Sequence, residues 1–552
     1  MQKTILIGGE SGQGVAKTSY LVGKVFTQAG YYVFNYKDYP SLIKGGHNFN
    51  VLKISSKPVY SHEIKYDIIL ALDQKTIDKH EKDLTKDGFI LGGRHLRAKN
   101  FIGIDVQSIL KKLKAPSVIG NNVLIGYLFK ILGLPLDTLI KTIEKEFSGS
   151  DKNKANIIKR AVKEGYNIPG RKRKLLKIKN RTRYFLTGNE AVACGAIASG
   201  LDIYIAYPMT PATSALHYLA SKQLKDNILV LQLENEISVI LAALGANYTG
   251  AMSMVGTSGG GFALMSEAMS LQGMSEIPLV VYLAQRTAPS TGVPTYTTQG
   301  DLKFAVNVGH GEFPKIVIAP GDAKESISRT KEAFYLSQKY RVLSIIMSDK
   351  HLGESHYSFD ELEKSQVQPS RNILKNPSTL YKNYKLTKTG VSPRIVPGQG
   401  PFARATSYEH DENGYTIEDA DMTKKMNDKR FRKLKYIEEE IEKLNPVSIY
   451  GKGDNLIVSW GSTKGAILDA LYELKNFRFM QISYIKPFPQ NQVEKEIKKS
   501  KNVILIENNV SGLLGQIITE QTGYFIKNKI LKYDARPFTP SDIVNRIKKI
   551  TR

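Results

Sequence analysis

Apolar residues in this chain fall into two rhythms that alternate. Thr4–Ile7 is a short apolar run ending in a glycine-rich turn, Gly8–Gly14. From about Val15 to Ala29 the apolar positions return at helical spacing, and Gly30 closes the stretch. Tyr31–Asn35, Phe49–Ile54 and Asp67–Leu72 read as further strands. A second block, from Tyr184 to about Lys350, carries the strand-like runs Ile203–Ala206, Ile228–Leu231, Met252–Val255, Leu279–Tyr282, Ile316–Ile318 and Leu343–Met347, with helical stretches between several of them. Strands alternating with helices predict parallel pairing through crossover helices. Residues 351–450 lose the periodicity; they are rich in Lys, Pro, Asn and Tyr and end in a charged helix near Lys424–Lys443. The rhythm resumes with Asn455–Trp460, a helix to Leu474, Phe479–Tyr484, Val503–Glu507 and a helix after Gly512. The pattern predicts an α/β protein of several open, mostly parallel sheets, with segments 1–170, 171–184, 185–350, 351–450 and 451–552.

Composition narrows this picture. At 552 residues, with 41% hydrophobic and 24% charged residues, the chain has an ordinary globular balance. One cysteine, Cys194, holds neither an iron–sulfur cluster nor a zinc site nor an internal disulfide. It also points to a reducing compartment, the cytoplasm. No run of about 18 apolar residues occurs, and Met1–Gly9 lacks the order of a signal peptide, so the expectation is a soluble protein with no membrane partner. The net charge of +26 raises nucleic acid as a partner. However, basic residues interleaved with aromatics, or a nucleic-acid module, are not found. Between Asp151 and Arg183, 13 Lys or Arg face two acids, and Pro169-Gly170 begins a charge run that reads as a linker.

Four motifs could carry chemistry. Gly9-Glu10-Ser11-Gly12-Gln13-Gly14 precedes a helix, as a phosphate-binding turn does. Lys17 stands two residues too late for a Walker A lysine, so Gly9, Gly12 and Gly14 suggest a phosphate-bearing ligand or a tight structural turn. Gly256-Thr257-Ser258-Gly259-Gly260 fits a nucleophile elbow, with Asp301 and His310 downstream in triad order; three fixed positions make this a weak match. Tyr207-Pro208-Met209-Thr210-Pro211 follows a strand, and its prolines fix a loop where open parallel sheets bind ligands. Arg286 to Thr295 follows another strand and combines a carboxylate-binding guanidinium with hydroxyls, which suggests a small carboxylic acid. Glu234 and Glu236 precede an Ala/Leu-rich helix, where a buried carboxylate needs a partner.

Taken in order, these blocks resemble the 2-oxoacid:ferredoxin oxidoreductases, as an alpha subunit with a gamma domain fused at its N-terminus. Gly8–Val15, Tyr39-Pro40-Ser41 through His47, and Ile54-Ser55 are similar to the gamma domain. Gly188-Asn189-Glu190-Ala191, the Tyr207–Pro211 block, Thr257-Ser258-Gly259, Gln285–Asp301 and Gly309–Glu312 are similar to the pyrimidine-side domain of thiamine-diphosphate enzymes. Ser392-Pro393-Arg394, Pro397-Gly398 and Glu409–Gly414 match the long middle segment; Trp460–Thr463, Pro487–Pro489, Glu507–Asn509 and Arg536–Thr539 match a transketolase-C-like domain. Glu10-Ser11 and Gly260 depart from the pattern, where glycine and proline are common.

The resemblance implies specific roles. Arg286 would bind the 2-oxoacid carboxylate, with Thr291 and Thr295 supporting it, and Thr210 would contact substrate or cofactor. Glu236 would hydrogen-bond the aminopyrimidine of thiamine diphosphate, with Tyr207 and Pro208 beside it, and favour its imino tautomer. Gly9, Gly12 and Gly14 would be a phosphate loop for coenzyme A. Gly321-Asp322-Ala323 and Gly453-Asp454-Asn455 do not fit the Mg²⁺–diphosphate motif. A separate beta subunit is therefore implied to carry Mg²⁺ and a [4Fe–4S] cluster, with no metal site in this chain. Acyl groups would pass to coenzyme A and electrons to ferredoxin. A paralogue that binds 2-oxoacid without turnover, or a basic nucleic-acid-binding protein, are the alternatives. Pyruvate, 2-oxoglutarate and branched-chain or aryl 2-oxoacids differ beyond C3, which no motif here reads, while the fused gamma–alpha layout resembles the 2-oxoglutarate or broad-range branch.

Overall fold

The computed structural model describes residues 2–41, 46–147, 152–170, 181–362 and 366–550. The basic linker read at 171–184 lies mostly outside these residues, as does Lys44-Gly45. The chain divides into two compact units: Met1–Leu186 with Ser355–Leu362 and Thr539–Ile543, and Thr187–Glu354 with Glu363–Phe538 and Val544–Arg552.

The first unit is built on an eight-stranded sheet in the order Phe101–Ile104, Leu84–Gly93, Tyr66–Ala71, Gln2–Glu10, His47–Ser55, Tyr32–Asp38, His356–Phe359, Tyr184–Thr187. Half of it is parallel, with Ile5 opposite Ile68. The other half corrects the expectation of parallel pairing: Ile5 lies opposite Leu52, and Val33 opposite Ile54, both antiparallel. Among the described residues no helix separates Tyr32–Asp38 from His47–Ser55, and the connection is eight residues long. A connection that short returns the chain alongside itself, whereas a parallel crossover needs a dozen residues or more. The strand His356–Phe359 is also a finding, because residues 351–450 carry no strand signal. It pairs antiparallel with Tyr32–Asp38 at His356 and Tyr357.

The helix Val15–Gln28 buries Val22, Val25 and Phe26 against Ile5, Ile7 and Leu52. Two further helices, Gly120–Leu132 and Lys152–Asn167, meet at glycines. A Cβ on Gly126 would lie 2.2 Å from the Val162 carbonyl oxygen, and one on Gly165 would lie 2.0 Å from that of Val123.

The second unit holds two sheets. The larger runs Tyr484–Lys486, Lys315–Ile318, Leu343–Asp349, Leu279–Gln285, Ser253–Thr257, Ile203–Ala206, Leu229–Gln232. Its pairs are parallel except for the edge strand Tyr484–Lys486. Leu279–Gln285 and Leu343–Asp349 are buried throughout, as expected of central strands with helices on both faces. The smaller sheet runs Val447–Gly451, Phe477–Ile482, Asn455–Ser459, Asn502–Glu507, Asn528–Leu531 and is parallel apart from its first strand.

Within this unit the helix Ala420–Glu442 is fastened by a buried charge cluster. Lys429 Nζ and Lys433 Nζ each lie 2.5 Å from the Glu276 carboxylate. Burial alone would raise Glu276, but Lys429, Lys433 and Arg341 outweigh it and hold the carboxyl well below the usual range. The charged helix expected near Lys424–Lys443 is therefore present and is tied down by buried polar contacts.

Candidate active site

In a parallel sheet, every strand delivers its following loop to the same edge, so residues far apart in sequence converge there. Four loops of the second unit do this, after Ile203–Ala206, Leu229–Gln232, Ser253–Thr257 and Leu279–Gln285.

The loop Tyr207–Pro211 is held from below. Asn189 Nδ2 donates to the Pro211 carbonyl at 2.8 Å and to Ser214 Oγ, and the Tyr282 hydroxyl donates to Asn189 Oδ1. Asn189 is fully buried. Its function as the anchor of this loop has no local signal, since its partners lie on three other elements. Tyr207 is exposed, and Pro208 and Thr210 are half-buried.

Arg286 follows the strand Leu279–Gln285, and its Nη1 donates to the Thr210 carbonyl at 2.9 Å. That bond joins two of the loops. Burial pulls the Arg286 guanidinium down, while the Glu236 carboxylate opposes the shift. Residues 287–296 form a tight lobe: Thr287 N–H donates to the Tyr296 carbonyl and Val293 N–H to the Thr287 carbonyl, both at 3.1 Å. Thr291 is exposed on this lobe, whereas Thr295 is buried with no hydrogen-bond partner for Oγ1.

Glu236 opens the helix Glu236–Tyr248, which is capped by Asn235 Oδ1 accepting from Ser238 N–H at 3.0 Å. Because Asn235 supplies the cap, the Glu236 carboxylate is free of that duty. It is 3% exposed, and its Oε1 has no partner. A Cβ on Gly261 would lie 2.5 Å from Glu236 Oε1 and 2.1 Å from Thr257 Oγ1, so only glycine leaves this cradle open. A buried carboxylate oxygen without a partner costs a few kcal/mol, about 1–3 or more, unless a donor arrives. An N–H of an aminopyrimidine fits that requirement.

The other readings meet specific obstacles. Ser258 Oγ has no hydrogen-bond partner, so the nucleophile elbow lacks the base contact a hydrolase needs. Lys17 places its ammonium 4.4 Å from the Phe147 ring centre rather than over the glycine turn. In the first unit Gly9 belongs to the strand Gln2–Glu10, while Gly12 and Gly14 have φ of +94° and +78° and shape the turn. A cleft of about 310 Å³ beside it is lined by Gly12, Gln13, Gly93, His95, Gln107 and Asn121, among others. Asp322 caps a helix and binds Lys464 at 2.5 Å, and Asp454 sits in a turn bonded to Asn476. Among the described residues no group of three or more His, Cys, Asp or Glu could hold a metal ion. No single described helix is long and apolar enough to cross a membrane; one pair, Val106–Leu113 with Ser117–Leu132, passes by composition but is bent by 118°.

An open, mostly parallel sheet with an orphaned carboxylate and an arginine at its strand ends defines an α/β module with a polar ligand crevice. A family profile described as pyruvate flavodoxin/ferredoxin oxidoreductase, thiamine diphosphate-binding, matches residues 194–429, and one described as pyruvate ferredoxin/flavodoxin oxidoreductase matches residues 4–168. A 2-oxoacid:ferredoxin oxidoreductase subunit alpha of Sulfolobus sp is 33% identical over all of this chain and 97% of its own length. The 2-oxoglutarate synthase subunit KorA of Methanocaldococcus jannaschii is 33% identical over 61% of this chain and 90% of its own. The solved 2-oxoglutarate:ferredoxin oxidoreductase from Magnetococcus marinus, with 2-oxoglutarate, coenzyme A and succinyl-CoA bound, is 28% identical, covers both chains fully and superposes with a TM-score of 0.90. The chain belongs to the 2-oxoacid:ferredoxin oxidoreductase family, on the side of its alpha subunits. It is thus part of an oxidoreductase and contains that family's thiamine-diphosphate-binding region.

Proposed function

We propose that this chain, with a beta subunit, converts a 2-oxoacid and coenzyme A to acyl-CoA and CO₂, releasing one proton and passing two electrons to ferredoxin. The observation that carries this is the convergence of Arg286, the Thr210 loop and the orphaned Glu236 at one sheet edge. Arg286 binds the substrate carboxylate with the N–H groups not spent on Thr210; Thr295 Oγ1 lends a further hydrogen bond, and Thr291 borders the entrance. Glu236 holds a proton against the pyrimidine ring, and Tyr207, Pro208 and Thr210 pack around substrate and cofactor. Thiamine diphosphate, when bound, supplies the nucleophilic carbon and the electron sink for decarboxylation.

Its Mg²⁺ and the [4Fe–4S] cluster belong to the beta subunit in this reading. A single thiol supports no cluster here. The turn at Gly9, Gly12 and Gly14 in the first unit receives phosphate groups of coenzyme A. The first unit is read as the gamma domain, residues 1–170, followed by the basic linker 171–184. Residues 185–350 are read as the pyrimidine-type domain, 351–450 as the connecting segment and 451–552 as the transketolase-C-like domain. The free Cys194 suits a reducing cytoplasm. 2-Oxoglutarate is the first substrate to try, because two of the similar proteins carry it in their names. The test is to purify the chain with its partner and compare 2-oxoglutarate, pyruvate and branched 2-oxoacids in coenzyme-A-dependent dye reduction. Turnover of one of them supports the reading. No turnover of any, with clusters loaded, overturns it.

A further inference from the structure

Asp301 occupies the position of a helix N-cap, just before Leu302–Asn307, yet its side chain makes no cap hydrogen bond. This sets it apart from Asp73, Asp105, Asp322 and Asp419, each of which accepts an N–H of its own helix. An aspartate there ordinarily gains about 1 kcal/mol by capping. The Asp301 carboxyl is turned instead toward the loop after Ser253–Thr257: its Oδ2 lies 2.6 Å from where a Cβ on Gly259 would be. That oxygen is buried and has no partner.

Ser258, next to Gly259, repeats the pattern. It too stands at an N-cap without capping, and its Oγ is buried and unpartnered. Two residues beyond Gly259, Gly261 borders the orphaned Glu236 Oε1. The Asp301 backbone is fixed from the other side, with its N–H donating to Gln285 Oε1 at 2.9 Å and Gln285 Nε2 bonded to the Ser348 carbonyl. Gln285 directly precedes Arg286, so Asp301 closes the loop that carries the arginine.

We propose that Asp301 is a ligand-binding carboxylate of this crevice, whose Oδ2 accepts a hydrogen bond from an N–H group of thiamine diphosphate or of coenzyme A. This rests on the reading above that the crevice binds them. Burial alone raises Asp301 to about 6. The charged groups around it are accounted for: Arg286 follows the neighbouring strand, Glu236 opens the next helix, Asp349 ends the strand Leu343–Asp349, and on its own helix Lys303 is 3.5 Å from Glu520. An N–H donor at Oδ2 favours the ionised form, so binding and protonation compete. With a free value near 6, the ionised fraction falls about tenfold from pH 7 to pH 5.

The test uses the complex with its partner chain, stripped of cofactor, and titrates thiamine diphosphate with Mg²⁺ in one series and coenzyme A in another, at pH 5 and pH 7. The ratio of the two Kd values is compared between wild type and Asp301→Asn, so that the ligand's own titration cancels. For the ligand that meets Asp301, the wild-type ratio exceeds that of Asp301→Asn about tenfold, and Asp301→Glu keeps the wild-type behaviour. If Asn does not fold, Asp301→Ser serves as the variant that cannot ionise. Equal ratios for both ligands in wild type and variant overturn the proposal while leaving the function above intact. Absence of any binding to the wild-type complex at pH 7 overturns both.

Discussion

Arg286 spends one N–H on the Thr210 carbonyl, which aims the rest of the fork away from that loop. Replacing it with alanine removes the charge-assisted bonds to the substrate carboxylate, worth about 1.5–3 kcal/mol, and should raise the KM for the 2-oxoacid roughly ten- to a hundredfold. Steady-state kinetics across substrate concentration read this directly; a flat KM contradicts the assignment. Glu236→Gln keeps the shape but loses the charge that balances a proton on the bound ring. It should lower kcat by about 10²–10⁴-fold with KM little changed. The sequence singled out Arg286 because it lies beyond a strand-like run, where a parallel sheet puts its ligand edge, and Glu236 through the family resemblance. Asn189 and Asp301 stood out there only within longer motifs and not in these roles, because a buried anchor and an uncapped N-cap are defined by their surroundings on other elements.

At the scale of elements, two reciprocal glycines set how closely the helices Gly120–Leu132 and Lys152–Asn167 approach. Gly126→Ala or Gly165→Ala would gain about 1 kcal/mol of helix propensity but force a Cβ into a carbonyl oxygen. The clash should prevail and cost about 1–3 kcal/mol net, seen as a lower urea midpoint of the first unit. The Glu276 cluster makes a different prediction. Its carboxyl is held below the unfolded value of about 4.3, so its stabilisation is complete above that pH and is lost as pH falls through the lower folded value. Glu276→Gln leaves Lys429 and Lys433 buried beside a neutral amide. It should destabilise the fold by about 3–5 kcal/mol at pH 7, with a smaller deficit in acid. Melting curves across pH measure both. Many strands of both units could be read from apolar period, since each buries a face, whereas the edge strands Phe101–Ile104 and Asn528–Leu531 and the helix Lys152–Asn167 were not. The return of His47–Ser55 alongside Gln2–Glu10, and the addition of His356–Phe359 to the first sheet, could not. Pairing partners far apart in sequence leave no trace in a local pattern.

For the whole molecule, the +26 charge bears on how partners arrive. The stretch 151–183 alone carries 13 basic and two acidic residues, a net +11. Attraction between a chain of such net charge and an acidic electron acceptor is screened over about 10 Å at 0.1 M salt. Ferredoxin reduction should therefore slow as ionic strength rises, while reduction of a small viologen dye changes less. Equal salt dependence for the two acceptors would assign the charge another role. The central claim, however, concerns the reaction itself. The chain purified with its partner subunit, loaded with thiamine diphosphate, Mg²⁺ and clusters, is mixed with 2-oxoacid, coenzyme A and an oxidised acceptor, and acyl-CoA and reduced acceptor are counted. The account predicts acyl-CoA and electrons in a ratio of one to two, both requiring the 2-oxoacid and both lost in Glu236→Gln. No acceptor reduction with any 2-oxoacid, or reduction without coenzyme-A-dependent acyl-CoA formation, would contradict it.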